Sequence, residues 1–124
     1  MSREYYLVTR DRPSARAFVR MLTEAAGHNL DIDGDFEDPD DYLNISSDDL
    51  WIEVEPPGHV EAIDLTDLDE DATLPQPDGE GCLWYAVANV PGGAPPISAD
   101  IIWKAFLDLA QAYNGIAIDA QAHP

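Results

Sequence analysis

CLWYAVANVPGGAPPISADIIWKAFLDLAQAYNGIAI, Cys82–Ile118, reads as strand, turn, helix, turn and strand, and this order decides the fold. Cys82–Val90 is short and almost wholly apolar, the pattern of a central strand covered on both faces. Pro91–Pro96 (PGGAPP) is a stiff connection. Ser98 then supplies a cap for a helix over Ala99–Tyr113, whose Ile102, Ala105, Phe106, Leu109 and Tyr113 recur at helical spacing. Asn114–Gly115 suits a left-handed helix end, and Ile116–Ile118 returns as a last strand.

The N-terminal half gives a second strand and helix. Tyr5–Thr9 (YYLVT) is aromatic and β-branched, as strands are. Asp11 and Pro13 look like the cap and first turn of a helix. From Ser14 to Ala26, Ala15, Phe18, Leu22, Ala25 and Ala26 form one apolar stripe, widened by Val19 and Met21, and Gly27 ends it. Between the two helices, Tyr42–Ser46 and Leu50–Glu55 both alternate and are joined by a hairpin-sized gap. By parity, Leu50, Ile52 and Val54 belong to a core, and Trp51, Glu53 and Glu55 to an outer face. Pro56, Pro57 and Gly58 read as the end of that strand. Val60–Leu68 fits either a further short strand or a covering turn. Asp67–Gly81 reads as a polar loop.

These elements predict a single α+β domain over residues 1–124, with two helices packed on one face of a mostly antiparallel sheet of four to five strands. A ferredoxin-like split βαβ is the leading topology. With 45% hydrophobic residues and eleven aromatics, the chain can build a core. Its apolar runs fall short of the ~20 residues that cross a bilayer. MSREYYLVTR has no apolar stretch of secretory length. These features predict a cytoplasmic protein without membrane contact. Cys82 has no partner for an internal disulfide and reads as a small buried hydrophobe.

Charge is the dominant feature. The net charge is −19, where a small soluble domain manages with roughly 2–8. Leu30–Glu80 holds nineteen acidic residues and no lysine or arginine. Five of the six basic residues, Arg3, Arg10, Arg12, Arg16 and Arg20, lie before it, so a bipolar molecule is expected. Such a surface repels nucleic acid and anionic lipid, and it steers a basic partner toward contact.

Motifs for chemistry are missing. His28, His59 and His123 lie in expected loops, without HExxH or CxxC spacing, and Ser46 and Ser47 have no nucleophile-elbow context. Asn29–Asp40 (NLDIDGDFEDPD) matches part of an EF-hand loop: Asn29, Asp31 and Asp33 fall at ligand positions and Gly34 at the turn glycine. Its last position is Asp40 rather than a bidentate glutamate, and Pro39 precedes it, so a solvated turn is expected. The chain therefore reads as a binding protein and not an enzyme, with no cofactor and no metal.

Leu83–Val90, the helix ending LAQAYNG, IAIDAQ at Ile116–Gln121 and LWIEVEPPGHVE at Leu50–Glu61 together resemble the small immunity proteins of bacterial polymorphic-toxin systems. The resemblance implies a stoichiometric inhibitor of a toxin, often a nuclease. The charge pattern independently implies a basic partner. The expected contact surface comprises Asp31, Asp33, Asp35, Phe36, Glu37, Asp38, Asp40, Asp41, Tyr42, Asp48, Asp49, Trp51, Glu53 and Glu55. Trp51, Tyr42 and Phe36 are its candidate anchors. The alternatives are a DNA-mimic regulator of a nucleic-acid-binding protein and a calcium- or magnesium-binding module at Asn29–Asp40.

Overall fold

A computed structural model describes residues 3–38, 40–66 and 73–120. The elements run β1 (Arg3–Thr9), α1 (Ala15–Ala26), β2 (Asp31–Asp33), β3 (Leu43–Ser47), β4 (Leu50–Glu61), a 3-10 turn (Ala62–Leu65), β5 (Cys82–Val90), α2 (Ile97–Ala112) and β6 (Gly115–Asp119). The strands form one six-stranded sheet, ordered β2-β3-β4-β5-β1-β6, and every neighbouring pair is antiparallel. The α+β class holds, but the sheet is larger than the four to five strands expected. The extra strand is β2, three residues long and inside the segment taken for a solvated turn. The order also departs from a plain ferredoxin-like sheet. α2 joins β5 to β6 across β1, as a split βαβ does, whereas α1 returns at the far edge, with β5, β4 and β3 between β1 and β2.

Residue chemistry explains the pattern. α1 buries Ala17, Phe18, Met21 and Leu22, and α2 buries Ile101, Ile102, Ala105, Phe106, Leu109 and Ala110. Both stripes pack on Tyr5 and Leu7 of β1, Leu43 and Ile45 of β3, Leu50, Ile52 and Val54 of β4, and Ala86, Ala88 and Val90 of β5. The other face carries a smaller cluster, Val8, Leu65, Leu83 and Ile118, covered by the 3-10 turn and by Leu74. β5 is therefore covered on both faces only near its start. Toward Val90 its burial alternates, which corrects the expectation of a strand enclosed throughout.

Several expected boundaries move. α1 is capped by Ser14, whose Oγ accepts from the Ala17 amide at 3.1 Å, and not by Asp11. Asp11 instead accepts from Asn114 Nδ2 at 2.6 Å, beyond the end of α2. Ser98 lies inside α2, not at its cap; its buried hydroxyl accepts the Trp51 amide at 3.0 Å, beside the point where β5 has already ended. Pro56-Pro57-Gly58 does not end β4. Glu55 pairs with Val87 and Gly58 with Tyr85, so the two prolines face Ala86 alone. This two-against-one bulge lets residues without an amide hydrogen sit inside a strand. β4 thus runs on through Val60 to Glu61 and is followed by the 3-10 turn Ala62–Leu65, while residues 67 and 68 of that stretch lie outside the described residues. Residues 67–72 of the expected polar loop, and His123, lie outside the described residues. Gly27 and Asn114 adopt left-handed φ angles of 80° and 58° at the two helix ends, as their residue types favour.

Candidate open-face binding site

The helices cover one face of the sheet and leave the other open over β2, β3 and the first half of β4. Alternation along these strands puts Leu50, Ile52 and Val54 under the helices, so Trp51, Glu53 and Glu55 point the opposite way. Register then assembles the surface from strands distant in sequence. Asp33, Asn44, Glu53, Asn89 and Glu4 stand side by side in one row across five strands. The next row contains Glu55, Val87, Tyr6 and Ile118, and the row on the other side Asp31, Ser46 and Trp51.

The first row explains how a sheet tolerates so many carboxylates. Like charges directly opposite one another destabilise a strand pair. Here Asn44 separates Asp33 from Glu53, and Asn89 separates Glu53 from Glu4. Each carboxylate is two strand spacings from the next, about 9.5 Å, close to one Debye length at physiological salt. Glu4, Tyr42, Glu53, Glu55, Val87 and Asn89 line a shallow depression of about 210 Å³. Tyr42 is 62% exposed and Trp51 42%, more than the half-buried Tyr6 and Tyr85 of the same face. Glu53 and Glu55 are half-buried and form no ion pair among the described residues. The Tyr6 hydroxyl donates to Glu4 Oε2 at 3.0 Å, and its ring lies 5.9 Å from that of Tyr85. Burial, then the neighbouring Tyr6 and the carboxylates of Glu55 and Glu4, push the Tyr85 phenol up to about 12.

Of the expected contact residues, Asp31, Asp33, Tyr42, Trp51, Glu53 and Glu55 share this region. Asp35, Phe36, Glu37, Asp38, Asp40 and Asp41 lie apart from them, and Asp48 and Asp49 border the region only at Asp31, with which they line a depression. Residues 35–38 and 40–41 lie beside α1, and three of their carboxylates hold the backbone. Asp41 Oδ2 accepts the Asp35 amide at 2.9 Å, Asp35 Oδ1 the Glu37 amide at 2.9 Å and Asp38 Oδ1 the Asp40 amide at 3.0 Å. Gly34 starts the loop with φ 120°, where a Cβ would come within 2.7 Å of the Tyr42 carbonyl oxygen. Phe36 is half-buried, and its ring stacks on Phe18 at 4.9 Å, with 17° between planes. Glu37 pairs with Arg12 at 2.8 Å, which draws one end of the arginine row against the acidic segment and corrects a fully bipolar molecule. Arg16 and Arg20 are exposed and form no ion pair among the described residues. Asp48 and Asp49 occupy the β3–β4 turn. There Asp49 Oδ1 accepts from Ser47 Oγ at 2.9 Å and lies 3.3 Å from His28 Nε2.

No protein-family model matches the chain, and neither the curated proteins nor the solved structures contain a match to it.

Asp31 and Asp33 are strand residues on one sheet face, roughly 6.8 Å apart along β2, so Asn29, Asp31 and Asp33 do not wind around a common point as EF-hand ligands do. His59 lies in β4 and not in a loop. Its ring stacks on Trp84 at 4.7 Å, and its Nε2 lies 2.7 Å from Asp78 Oδ2. Cys82 is half-exposed at the start of β5, not buried. Glu4, Tyr6 and Asn89 were not foreseen at the open face, although the alternation of Arg3–Thr9 carries the signal for the first two. No helix among the described residues is long and apolar enough to cross a membrane.

Proposed function

We propose that this protein is an immunity- or antitoxin-type inhibitor that binds a basic, nucleic-acid-cleaving effector through the open face of its sheet. The observation that carries this reading is the open face itself: Asp31, Asp33, Glu53 and Glu55 held at fixed strand spacing, with Trp51 and Tyr42 exposed among them. A rigid array of carboxylates matches a groove built to hold phosphates, and it raises the rate of encounter with a basic protein. Exposed aromatics supply the contact area that charge alone lacks. The resemblance of Leu50–Glu61 and the C-terminal third to immunity proteins points the same way. An inhibitor of this kind would act in the cytoplasm and would not itself be an enzyme.

The regular carboxylate spacing also suits a DNA-mimic regulator, which would fill the groove of a partner that is not a toxin. Affinity capture separates these readings. Purified protein is expected to retain a basic protein at low salt, and a Trp51→Ala/Glu53→Gln/Glu55→Gln variant to lose it. If the captured protein cleaves nucleic acid and one equivalent of inhibitor stops it, the immunity reading stands. Capture of a non-cleaving nucleic-acid-binding protein would favour the DNA mimic. Equal retention by wild type and variant would refute the open face as the contact surface.

A further inference from the structure

We propose that His59, Asp78 and Cys82 form a three-ligand site for a zinc-type transition-metal ion, at the opposite end of β4 from Trp51. Each residue offers one donor atom, and the three donors lie within 4.8 Å of one another. A tetrahedral zinc ion with ligand distances of roughly 2.0–2.3 Å places its ligands about 3.3–3.8 Å apart. The required rearrangement is therefore near an ångström. The His59–Asp78 contact of 2.7 Å must open slightly, and the Cys82 thiol must leave a weak contact of 3.7 Å with the Glu80 carbonyl oxygen.

A histidine–aspartate pair alone needs no metal. Three features distinguish this one. The first is the donor set. Nitrogen, carboxylate oxygen and sulfur together suit zinc and its neighbours, and sulfur disfavours calcium and magnesium. The second is the preset carboxylate. Asp78 Oδ1 accepts the amides of Glu80 at 2.9 Å and Cys82 at 3.0 Å, which aims Oδ2 at His59. These bonds, the Cys82 amide first and the His59 contact next, hold the Asp78 carboxyl below its ordinary value. The third is the ring. Stacking on Trp84 fixes the imidazole plane, while Arg12 lies over the Trp84 ring at 5.1 Å with its charge answered by Glu37. Ligand orientation by outer partners of this kind is what metal sites require.

The surrounding charge favours a dication. Burial, then Asp78, Glu80 and Glu61, raise the Cys82 thiol. On binding, the thiol proton and the Nε2 proton that Asp78 Oδ2 accepts in the free site both leave for solvent, and sulfur and Nε2 each give an electron pair to the ion. The neutral imidazole carries its one proton on Nδ1, retained from an imidazolium or taken up from solvent. Oδ2 completes three positions, leaving the fourth for water or a partner's side chain.

The test uses the whole protein with zinc and, as a spectroscopic probe, cobalt. One equivalent is expected to bind at micromolar concentration. Cobalt should give the strong visible absorption of a tetrahedral ion together with a sulfur-to-metal charge-transfer band. Cys82→Ser should abolish that band, and His59→Ala or Asp78→Asn should weaken zinc binding by at least about tenfold. Bound zinc should slow alkylation of the single cysteine, a readout on wild-type protein that does not depend on whether the variants fold. The proposal is overturned by zinc uptake above one equivalent that Cys82→Ser leaves unchanged, since that is diffuse binding to the acidic surface. Absence of stoichiometric binding, or alkylation indifferent to zinc, overturns it as well.

Discussion

Phe36→Ala and Trp51→Ala remove aromatic rings of similar chemistry from the same acidic segment, and the structure predicts opposite consequences. Phe36 is half-buried and stacks on Phe18 at 4.9 Å, and Phe18 is among the most deeply buried side chains of the core. Truncating a fully buried phenylalanine costs about 3–5 kcal/mol, and a stacked pair contributes about 0.5–1.5 kcal/mol of that kind of loss. Half burial puts Phe36→Ala at about 2 kcal/mol, which lowers Tm by about 8 °C in a domain of this size. Trp51 is 42% exposed, and its link to Ser98 runs through the backbone amide, which alanine retains. Its truncation should cost no more than about 1 kcal/mol of stability, within the range of surface substitutions near structured positions. Binding should reverse the order. Trp51→Ala should cost about 2 kcal/mol, roughly a thirtyfold faster dissociation, if its ring fills a pocket on the partner. Phe36→Ala, measured well below its Tm, should leave dissociation unchanged. Thermal melts followed by kinetic binding decide the matter. A Phe36→Ala variant that melts with the wild type, or a Trp51→Ala variant that loses as much stability, would refute the sorting of these residues into core and surface.

Association should be charge-driven: Asp33→Asn, Glu53→Gln and Glu55→Gln together should slow the on-rate and flatten its salt dependence with little change in the off-rate, as stopped-flow binding at several salt concentrations would show. Asp41→Ala should instead loosen the loop by removing the acceptor of the Asp35 amide, detectable as faster amide exchange there. Gly115→Ala should be severe, about 3 kcal/mol, because a Cβ there meets the Val8 carbonyl oxygen and lies 2.6 Å from Thr9 Cγ2. Gly27→Ala, with open space around it but φ 80°, should cost only about 1 kcal/mol; denaturant melts compare the two. At alkaline pH the raised Tyr85 phenol makes folded protein hold its proton longer than unfolded chain. Stability should therefore be intact below the ordinary tyrosine value of 10.0 and fall as pH rises toward about 12, and Tyr85→Phe should remove that part of the fall.

What the sequence disclosed, and what it hid, follows from the range of the interactions involved. Helix stripes and the alternation of Leu50–Glu55 are local periodicities, and they placed both helices and the outward face of Trp51 correctly. Asp11 and Ser14 are equally good caps by residue type. The choice between them is made by Tyr113 and Asn114, about a hundred positions away: the Tyr113 hydroxyl lies 3.1 Å from Ser14 Oγ, and Asn114 binds Asp11. Pro56-Pro57 reads as a stop because a proline cannot join a ladder, and only the register of β5 shows that a bulge excuses both from joining it.

The same limit governs the acidic segment. At high density every carboxylate looks alike in the sequence, and nothing local separates those that bind the chain to itself from those that stand clear of it. Backbone geometry does separate them. The Asp35, Asp38 and Asp41 side chains sit beside backbone amides of their own turn and are consumed as acceptors. On β2 and β4 the backbone amides belong to the sheet, so Asp31, Asp33, Glu53 and Glu55 stand away from it. Glu4 and Asn89 then reach the Glu53 row through pairings of β1 with β5 and β5 with β4, which no linear motif could contain. A partner would thus read a pattern written across five strands. The test is to swap Glu53 with Asn89, which keeps composition and net charge while moving one carboxylate to the neighbouring strand, opposite Glu4. With thermal melts showing that the variant is folded at the assay temperature, binding should weaken if register is what the partner recognises. Unchanged affinity would mean that only bulk charge matters.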